Sequence, residues 1–333
     1  MLYNIPTMKA LALLSGGLDS RLSVKIMTHM GIEVTALHFY TPFNSKELSV
    51  VEETVAKTAQ SLGAQGKVIV LGDEFMTMFR NPDNGYGGNL NPCIDCKILM
   101  FRRAKALLEE YGAQFVVSGE VVGQRPMSQY KDALRRIDKA SGLTGRVVRP
   151  LSGKILEATI PEQNGWIDRN RLYDINGRAR TRQFKLAQEL GVVDYPWPGG
   201  GCLLTEESFC RKLKDIIAHQ ELNSFVIELL KCGRHLRLPS GQLATMGKNE
   251  QQNAKLLRLK RKGDIIIGPR DEGGPYCLLA ESAKEDDITL VAGVVARYTR
   301  KDAGIVIFIR QGDSEKIINA VALGEEETKR MIL

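Results

Sequence analysis

The chain of 333 residues lacks any apolar run approaching the roughly 20 residues that a membrane-crossing helix needs. Its N-terminus has no basic segment followed by an apolar stretch and a cleavage site. No signal peptide is therefore read, and the expected compartment is the cytoplasm with no membrane partner. Histidine is scarce: His29, His38, His219 and His235 are the four, and no two form an H-x-x-x-H pair. A histidine-rich metal site is not supported. Six cysteines in a chain expected in the cytoplasm do not make a disulfide framework; they are free, metal-binding or redox-active. Internal repeats and low-complexity segments are also missing.

What is present suits a globular protein of two domains with a sizeable core, since 43% of residues are hydrophobic. The formal net charge of +7 favours a polyanionic partner such as nucleic acid. Near the start, the apolar run Ala10–Leu14 leads into Ser15-Gly16-Gly17-Leu18-Asp19-Ser20, and an amphipathic segment, Arg21 to Met30, follows. The pattern predicts strand, tight turn and helix. Glycines let several N–H groups turn into one hollow beside the positive end of the helix. Ser15 and Ser20 add hydroxyls for phosphate oxygens, and Asp19 adds a carboxylate for a cap or a magnesium ion. This is an anion cradle. It has no lysine inside the turn, so it is not the G-x-x-x-x-G-K-[ST] loop of kinases and GTPases.

Strands are expected at 34–40, 67–71, 115–118 and 146–149, with helices over 45–62, 95–111 and 128–140. Alternation of this kind predicts a parallel sheet covered on both faces, with ligands beyond the carboxyl ends of its strands. His38, late in the second strand, could touch an adenine or be a partly buried strand histidine with one hydrogen bond. After the fourth strand, Gly119 could allow close approach of a nucleotide and Glu120 could join Asp19 near a metal. Gln124, Arg125 and Ser128 offer polar contacts there. Arg169, Arg171, Arg178, Arg180 and Arg182 suit phosphate-backbone contacts or form a solvated charged face.

Asn91-Pro92-Cys93-Ile94-Asp95-Cys96 opens a helix rich in basic residues, and Cys202 follows three glycines, Gly199 to Gly201. Three readings stand side by side. Cys93, Cys96 and Cys202 could hold an iron–sulfur cluster with one iron open, form a persulfide relay, or be zinc-binding or core cysteines. Cys210, Cys232 and Cys277 read as packing residues. From about Glu206 the alternation stops. Helices are expected at 209–217 and 222–230, then a hairpin around Pro239-Ser240-Gly241, a helix over 249–259, strands at 264–268 and 305–309, and a helix near 287–299. The implied divisions are 1–205, a helical connector 206–231, and a small α+β module 232–333 that could bind RNA or dimerise.

Taken together, Ser15–Ser20, Cys93-x-x-Cys96 with Cys202, the Ser118–Gln129 stretch and Arg149-Pro150-Leu151 resemble tRNA sulfurtransferases with an N-type ATP pyrophosphatase (PP) loop. The 4-thiouridine synthetases are the nearest in pattern, and Asn91–Cys96 is also similar to the tRNA 2-thiouridylases. The resemblance covers roughly residues 8–205. It implies an α/β fold, a parallel-sheet adenine nucleotide alpha hydrolase-like domain followed by the smaller α+β domain. It implies ATP and Mg²⁺ at Ser15, Gly16, Gly17, Asp19, Ser20, His38, Gly119 and Gln124. It further implies catalytic roles for Asp19, Cys93 and Cys202, and a [4Fe–4S] cluster on Cys93, Cys96 and Cys202. The expected partners are tRNA and a sulfur donor, either sulfide or a persulfide derived from a cysteine desulfurase; dimerisation is left open. An adenylating ligase, amidase or sulfur-inserting enzyme acting on a small molecule is the alternative. Typical 4-thiouridine synthetases carry RNA-capturing domains before the loop, whereas fourteen residues precede Ser15 here. The tail from about Cys232 instead resembles the RNA-binding module of NFACT proteins, through Gly233-Arg234-His235 and Gly247-Lys248-Asn249.

Overall fold

The computed structural model describes residues 8–195, 202–299 and 304–333. They divide into two compact units, Met1–Thr205 and Glu206–Leu333. In the first unit, β1 (Lys9–Leu13), α1 (Leu18–His29), β2 (Glu33–Tyr40), α2 (Leu48–Ser61) and β3 (Gln65–Val70) alternate. Then come α3 (Asp73–Arg80), α4 (Cys93–Leu107), β4 (Phe115–Ser118), α5 (Lys131–Ser141), β5 (Val147–Val148), α6 (Ile160–Gln163) and α7 (Thr181–Glu189). The five strands form one sheet in the order β3-β2-β1-β4-β5, and all four pairings are parallel.

Burial explains that order. The central strands β1 and β4 are built from small and branched apolar residues that are covered on both faces: Ala10, Leu11, Ala12 and Phe115 to Val117 are all buried. The edge strand β3 is polar at alternate positions and leaves Val70 exposed, which is what an edge tolerates. Strand order runs outward in opposite directions from β1 and β4. The crevice beyond their carboxyl ends is thus the topological switch point, where open α/β sheets bind ligands. Two segments emerge into it, the turn after Leu13 and the stretch after Ser118, with Leu13 and Ser118 in register.

The second unit contains α8 (Glu207–His219), α9 (Ser224–Leu230), β6 (Arg234–Arg237), β7 (Leu243–Met246), α10 (Glu250–Leu259) and β8 (Ile265–Pro269). It continues through β9 (Cys277–Leu279), α11 (Glu285–Tyr298), β10 (Ile305–Gln311), β11 (Ser314–Ala320) and α12 (Glu325–Met331). Its six strands pair antiparallel in the order β11-β10-β8-β9-β7-β6. One face packs on α11 through Leu236, Ala244, Ile267, Val291 and Val295. The opposite face carries Cys232, Leu256, Ile266 and Phe308. The architecture is therefore a parallel α/β unit followed by a smaller α+β unit. Cys210, Cys232 and Cys277 are buried as packing residues, and burial pushes the Cys277 thiol up to about 12. Among the described residues no helix is long and apolar enough to cross a membrane.

Candidate active site

The turn after β1 is cross-braced by its own side chains. Gly16 sits at φ +84°, a left-handed conformation that glycine adopts without strain. The Gly17 N–H donates to Ser15 Oγ at 3.4 Å, Ser15 and Ser20 hydroxyls lie 3.2 Å apart, and Ser20 Oγ donates to the Gly17 carbonyl at 2.8 Å. Arg21 Nε donates to the Gly16 carbonyl at 2.8 Å. No side chain caps α1 at Gly17, so the first amides of the helix keep their capacity for an anion. His38 fixes the approach to this turn. Its Nδ1–H donates to the Leu14 carbonyl at 2.9 Å, and its buried Nε2 has no partner among the described residues. Burial lowers its pKa, against the opposing effect of that hydrogen bond. His38 is a neutral brace for the strand end.

Asp19 is buried. Its Oδ2 accepts from Gln124 Nε2 at 2.6 Å and from Arg180 Nη2 at 2.7 Å, while its Oδ1 is buried without a hydrogen-bond partner among the described residues. Gln183 Nε2 donates to Gln124 Oε1 at 3.0 Å, which fixes the orientation of that amide. Sequence reading did not find Arg180 and Gln183 as partners of this site. They arrive from α7 because the chain around Asn176 pairs with Val122, and Gly177 N–H donates to the Val122 carbonyl at 2.8 Å. Nothing local in the sequence announces that pairing.

Glu120 is a correction to expectation, and Gly119 has a structural reason of its own. A Cβ at Gly119 would stand 2.6 Å from Ser20 N and Cα, so Gly119 makes room for the cradle's own backbone. Glu120 does not join Asp19. Its Oε2 accepts from Arg149 Nε at 3.0 Å and its Oε1 lies 3.2 Å from Lys97 Nζ. Burial alone would push Glu120 up, but Lys97 and Arg149 outweigh it and hold the carboxyl below its ordinary value. Arg149 also makes a bidentate pair with Asp138, at 2.8 and 2.7 Å. Four of the five arginines of the arginine-rich stretch have partners within the chain, although Arg171, Arg178 and Arg182 are exposed. Arg169 pairs with Glu162, Arg171 donates to the His29 carbonyl, Arg180 holds Asp19 and Arg182 pairs with Asp174.

The cysteines come from two places. Cys93 opens α4, where its Sγ accepts from Asn91 Nδ2 at 3.1 Å. Cys96 lies one turn further on. Cys202 is exposed and pairs across a bridge with Asn44, while Asn89 Nδ2 donates to the Thr205 carbonyl at 3.1 Å. Residues 196–201, including the three glycines, lie outside the described residues. Burial first, and then the charges of Cys202 and Cys93, push the Cys96 thiol up to about 12. Cys96 thus feels the charges of both other predicted cysteines, an arrangement of soft donors whose repulsion a bound cation would relieve. Among the described residues, however, no three His, Cys, Asp or Glu side chains stand close enough to share a metal ion as they are. A separate cleft of about 540 Å³ opens between α3, α4 and α5, lined by Glu74, Asn84, Asp95, Arg102 and Arg136 among others, and includes no cradle residue.

Residues 6–160 match the family of the thiamine biosynthesis protein ThiI, and residues 233–332 match the NFACT protein RNA binding domain. A probable tRNA sulfurtransferase of Thermococcus kodakarensis is 30% identical over 146 residues, 44% of this chain and 37% of that protein. One of Methanothermobacter thermautotrophicus is 33% identical over 119 residues, 35% of this chain and 30% of its own. The chain thus spans about a third of the length of these curated relatives. Among solved structures, a 4-thiouridine synthetase–RNA complex with bound ATP aligns at 23% identity and a TM-score of 0.35, over 56% of this chain and 52% of its own. The C-terminal part of a fibronectin/fibrinogen-binding protein from Streptococcus suis aligns at 13% identity and a TM-score of 0.28, over 47% and 79%. Residues 6–160 are therefore ThiI-like and residues 233–332 NFACT-R-like, each within its own compact unit.

Proposed function

We propose that the chain is an ATP-dependent tRNA sulfurtransferase that adenylates a nucleobase carbonyl oxygen and replaces it with sulfur to give a thiouridine. One observation carries the reading: a braced anion cradle at the switch point holds a buried carboxylate with one oxygen unspent, in the unit that also gathers Cys93, Cys96 and Cys202. In this reading the pyrophosphate end of ATP lies on the Ser15–Ser20 amides and hydroxyls, beside the positive end of α1. Asp19 Oδ1 is a hard oxygen donor of the kind Mg²⁺ takes, and Arg180 and Gln124 hold its carboxylate in place. The cradle stabilises charge on departing pyrophosphate, the electrostatic contribution that dominates such transfers. AMP then makes the former carbonyl oxygen a good leaving group.

Cys93, Cys96 and Cys202 handle the sulfur. Their thiolates are the residues that would hold a [4Fe–4S] cluster, which supplies one open iron position for exogenous sulfide. Without a cluster, the exposed Cys202 is the thiol best placed to carry a persulfide. The NFACT-R-like unit captures the RNA. The test is anaerobic incubation with ATP, Mg²⁺ and bulk tRNA, supplied in parallel with sulfide or with a persulfide-loaded cysteine desulfurase, followed by mass spectrometry of the nucleosides. A new thionucleoside is expected from the wild type. Cys202→Ala is expected to give none while still binding ATP. Full thiolation by Cys202→Ala would remove that residue from the sulfur path, and no thionucleoside from the wild type would sink the tRNA reading.

A further inference from the structure

The cleft of about 540 Å³ between α3, α4 and α5 includes no cradle residue, and its charges are unanswered within the chain. Asp95, Ile98, Leu99 and Arg102 line one wall, because positions i, i+3, i+4 and i+7 of α4 form a single stripe. Lys97, which reaches to Glu120, lies two positions after Asp95 and so on the other side of that helix. The cleft therefore occupies the back of the cysteine helix.

Two arginines line the cleft, and a neutral oxygen aims each of them. Arg102 Nε donates to the Ala140 carbonyl at 3.0 Å, and Arg136 Nη1 donates to Asn84 Oδ1 at 3.2 Å. Asn84 is itself fixed. Its backbone N–H and its Nδ2 donate to the two carboxylate oxygens of Asp95, at 3.0 and 2.9 Å, and Asp95 is only 6% exposed. A buried carboxylate thus orients an asparagine, which orients the exposed Arg136. Both guanidiniums keep further N–H donors. Arg149 and Arg180 are matched to carboxylates, whereas among the described residues Arg102 and Arg136 have none within ion-pair distance.

Carboxylates are nevertheless present. Glu74 on α3 and Asp83 in the loop after it line the same cleft, both exposed. Among the described residues their side chains make no ion pair or hydrogen bond. Opposite charges that share a cleft without meeting leave space for a ligand with an anionic end and a donor end. Its volume falls within the range of about 300–1,000 Å³ usual for small-molecule sites. Two guanidinium forks suit a phosphate, and the apolar side chains of Met78 and Leu99 suit the face of a base. A carboxylate accepts from the amino group of cytosine or adenine, whereas uracil presents an oxygen at the position of the cytosine amine.

We propose that this cleft holds one unpaired nucleotide with an amino-bearing base. Its phosphate lies on Arg102 and Arg136, its base on Met78 and Leu99, and its amino group against Asp83 or Glu74. That the nucleotide belongs to an RNA strand, rather than being free, rests on the function proposed above.

The full chain is tested by ligand-observed NMR with CMP and with UMP. CMP is expected to bind, and UMP to bind roughly five- to tenfold more weakly. Arg136→Gln changes an exposed residue and should weaken CMP binding roughly tenfold. Glu74→Gln combined with Asp83→Asn should remove the preference, because each new amide can donate to the uracil oxygen. tRNA should displace CMP, and Arg136→Gln should lower the salt dependence of tRNA binding by roughly one counterion. CMP binding that tRNA does not displace keeps the nucleotide site and rejects the RNA source, while thiolation of tRNA, measured separately, decides the function proposed above. CMP binding undiminished in Arg136→Gln belongs to the cradle and refutes the site. So does an absence of CMP binding, or equal binding of CMP and UMP by the wild type; the opposed charges are then a solvated surface only.

Discussion

Asp19 and Glu120 are two buried carboxylates that follow neighbouring parallel strands at one edge of one sheet, and the fold treats them oppositely. Glu120 is locked between two cations, Lys97 and Arg149, and Arg149 is shared with Asp138. Asp19 is held by one cation and one amide on a single oxygen, and its other oxygen has neither a cation nor a hydrogen bond among the described residues. Glu120 Oε1 and Asp19 Oδ1 both lack a hydrogen-bond partner among the described residues, but Lys97 Nζ stands 3.2 Å from Glu120 Oε1. A carboxylate that stabilises a fold is one with a cation of the chain at each oxygen. A carboxylate reserved for a ligand keeps part of its capacity unspent, at a cost the surrounding packing offsets. The difference also locates the two groups along the machinery. Glu120, next to Gly119 against the cradle and paired to the residue after Cys96, ties β4 to the cysteine helix.

The largest effect that would break this comparison is on stability. Arg149→Met should strand Glu120 and Asp138 as buried charges without their shared partner. Removing one member of such a group costs about 3–5 kcal/mol, so a large drop in the denaturation midpoint is expected. If that variant melts like the wild type, Glu120 is not the structural member of the pair. Asp19→Asn probes the other side. Its amide keeps the size of the side chain and can still accept from Gln124 or Arg180, so the melting temperature should change little. ATP-dependent pyrophosphate release should fall by roughly 10²–10³-fold, the scale of losing one preorganised electrostatic group. Unfolding of Asp19→Asn with normal turnover of the remaining folded protein would reverse the two assignments.

The sequence displayed one half of this contrast and hid the other. Ser15 to Ser20 is contiguous, and its glycines, hydroxyls and following amphipathic helix announce a cradle before any contact is known. The strand pattern is equally open to reading, because Ala10–Leu14 and Phe115–Val117 are apolar at every position, as strands covered on both faces must be. The partners of Asp19 are different. Arg180 lies 161 positions along the chain and reaches the site through the Val122–Asn176 bridge, and in sequence it looks like one more arginine in a basic run. Lys97 is similarly indistinct among the basic residues of α4. Charge composition shows that cations exist; only the tertiary pairing says which of them face inward and are already engaged. The same holds for Glu120, whose place beyond a strand's carboxyl end suited a metal ligand until Arg149 and Lys97 were seen to flank it.

The smallest effect concerns acid. Glu120 has a folded pKa held below its unfolded value, with Lys97 and Arg149 prevailing over burial. Its contribution is therefore fully present above the unfolded value of about 4.3. The contribution is lost as pH falls through the lower folded value, and each unit of depression is worth about 1.4 kcal/mol. Asp138 works in the opposite sense, because burial outweighs Arg149 and raises its pKa, so its protonation begins earlier and favours the folded state. The acid limb of a stability–pH profile should therefore steepen below about pH 4.3 and flatten in Glu120→Gln, whatever that substitution does to the plateau. An acid limb that keeps its wild-type slope in Glu120→Gln would mean that Lys97 and Arg149 do not hold the Glu120 carboxyl below its ordinary value.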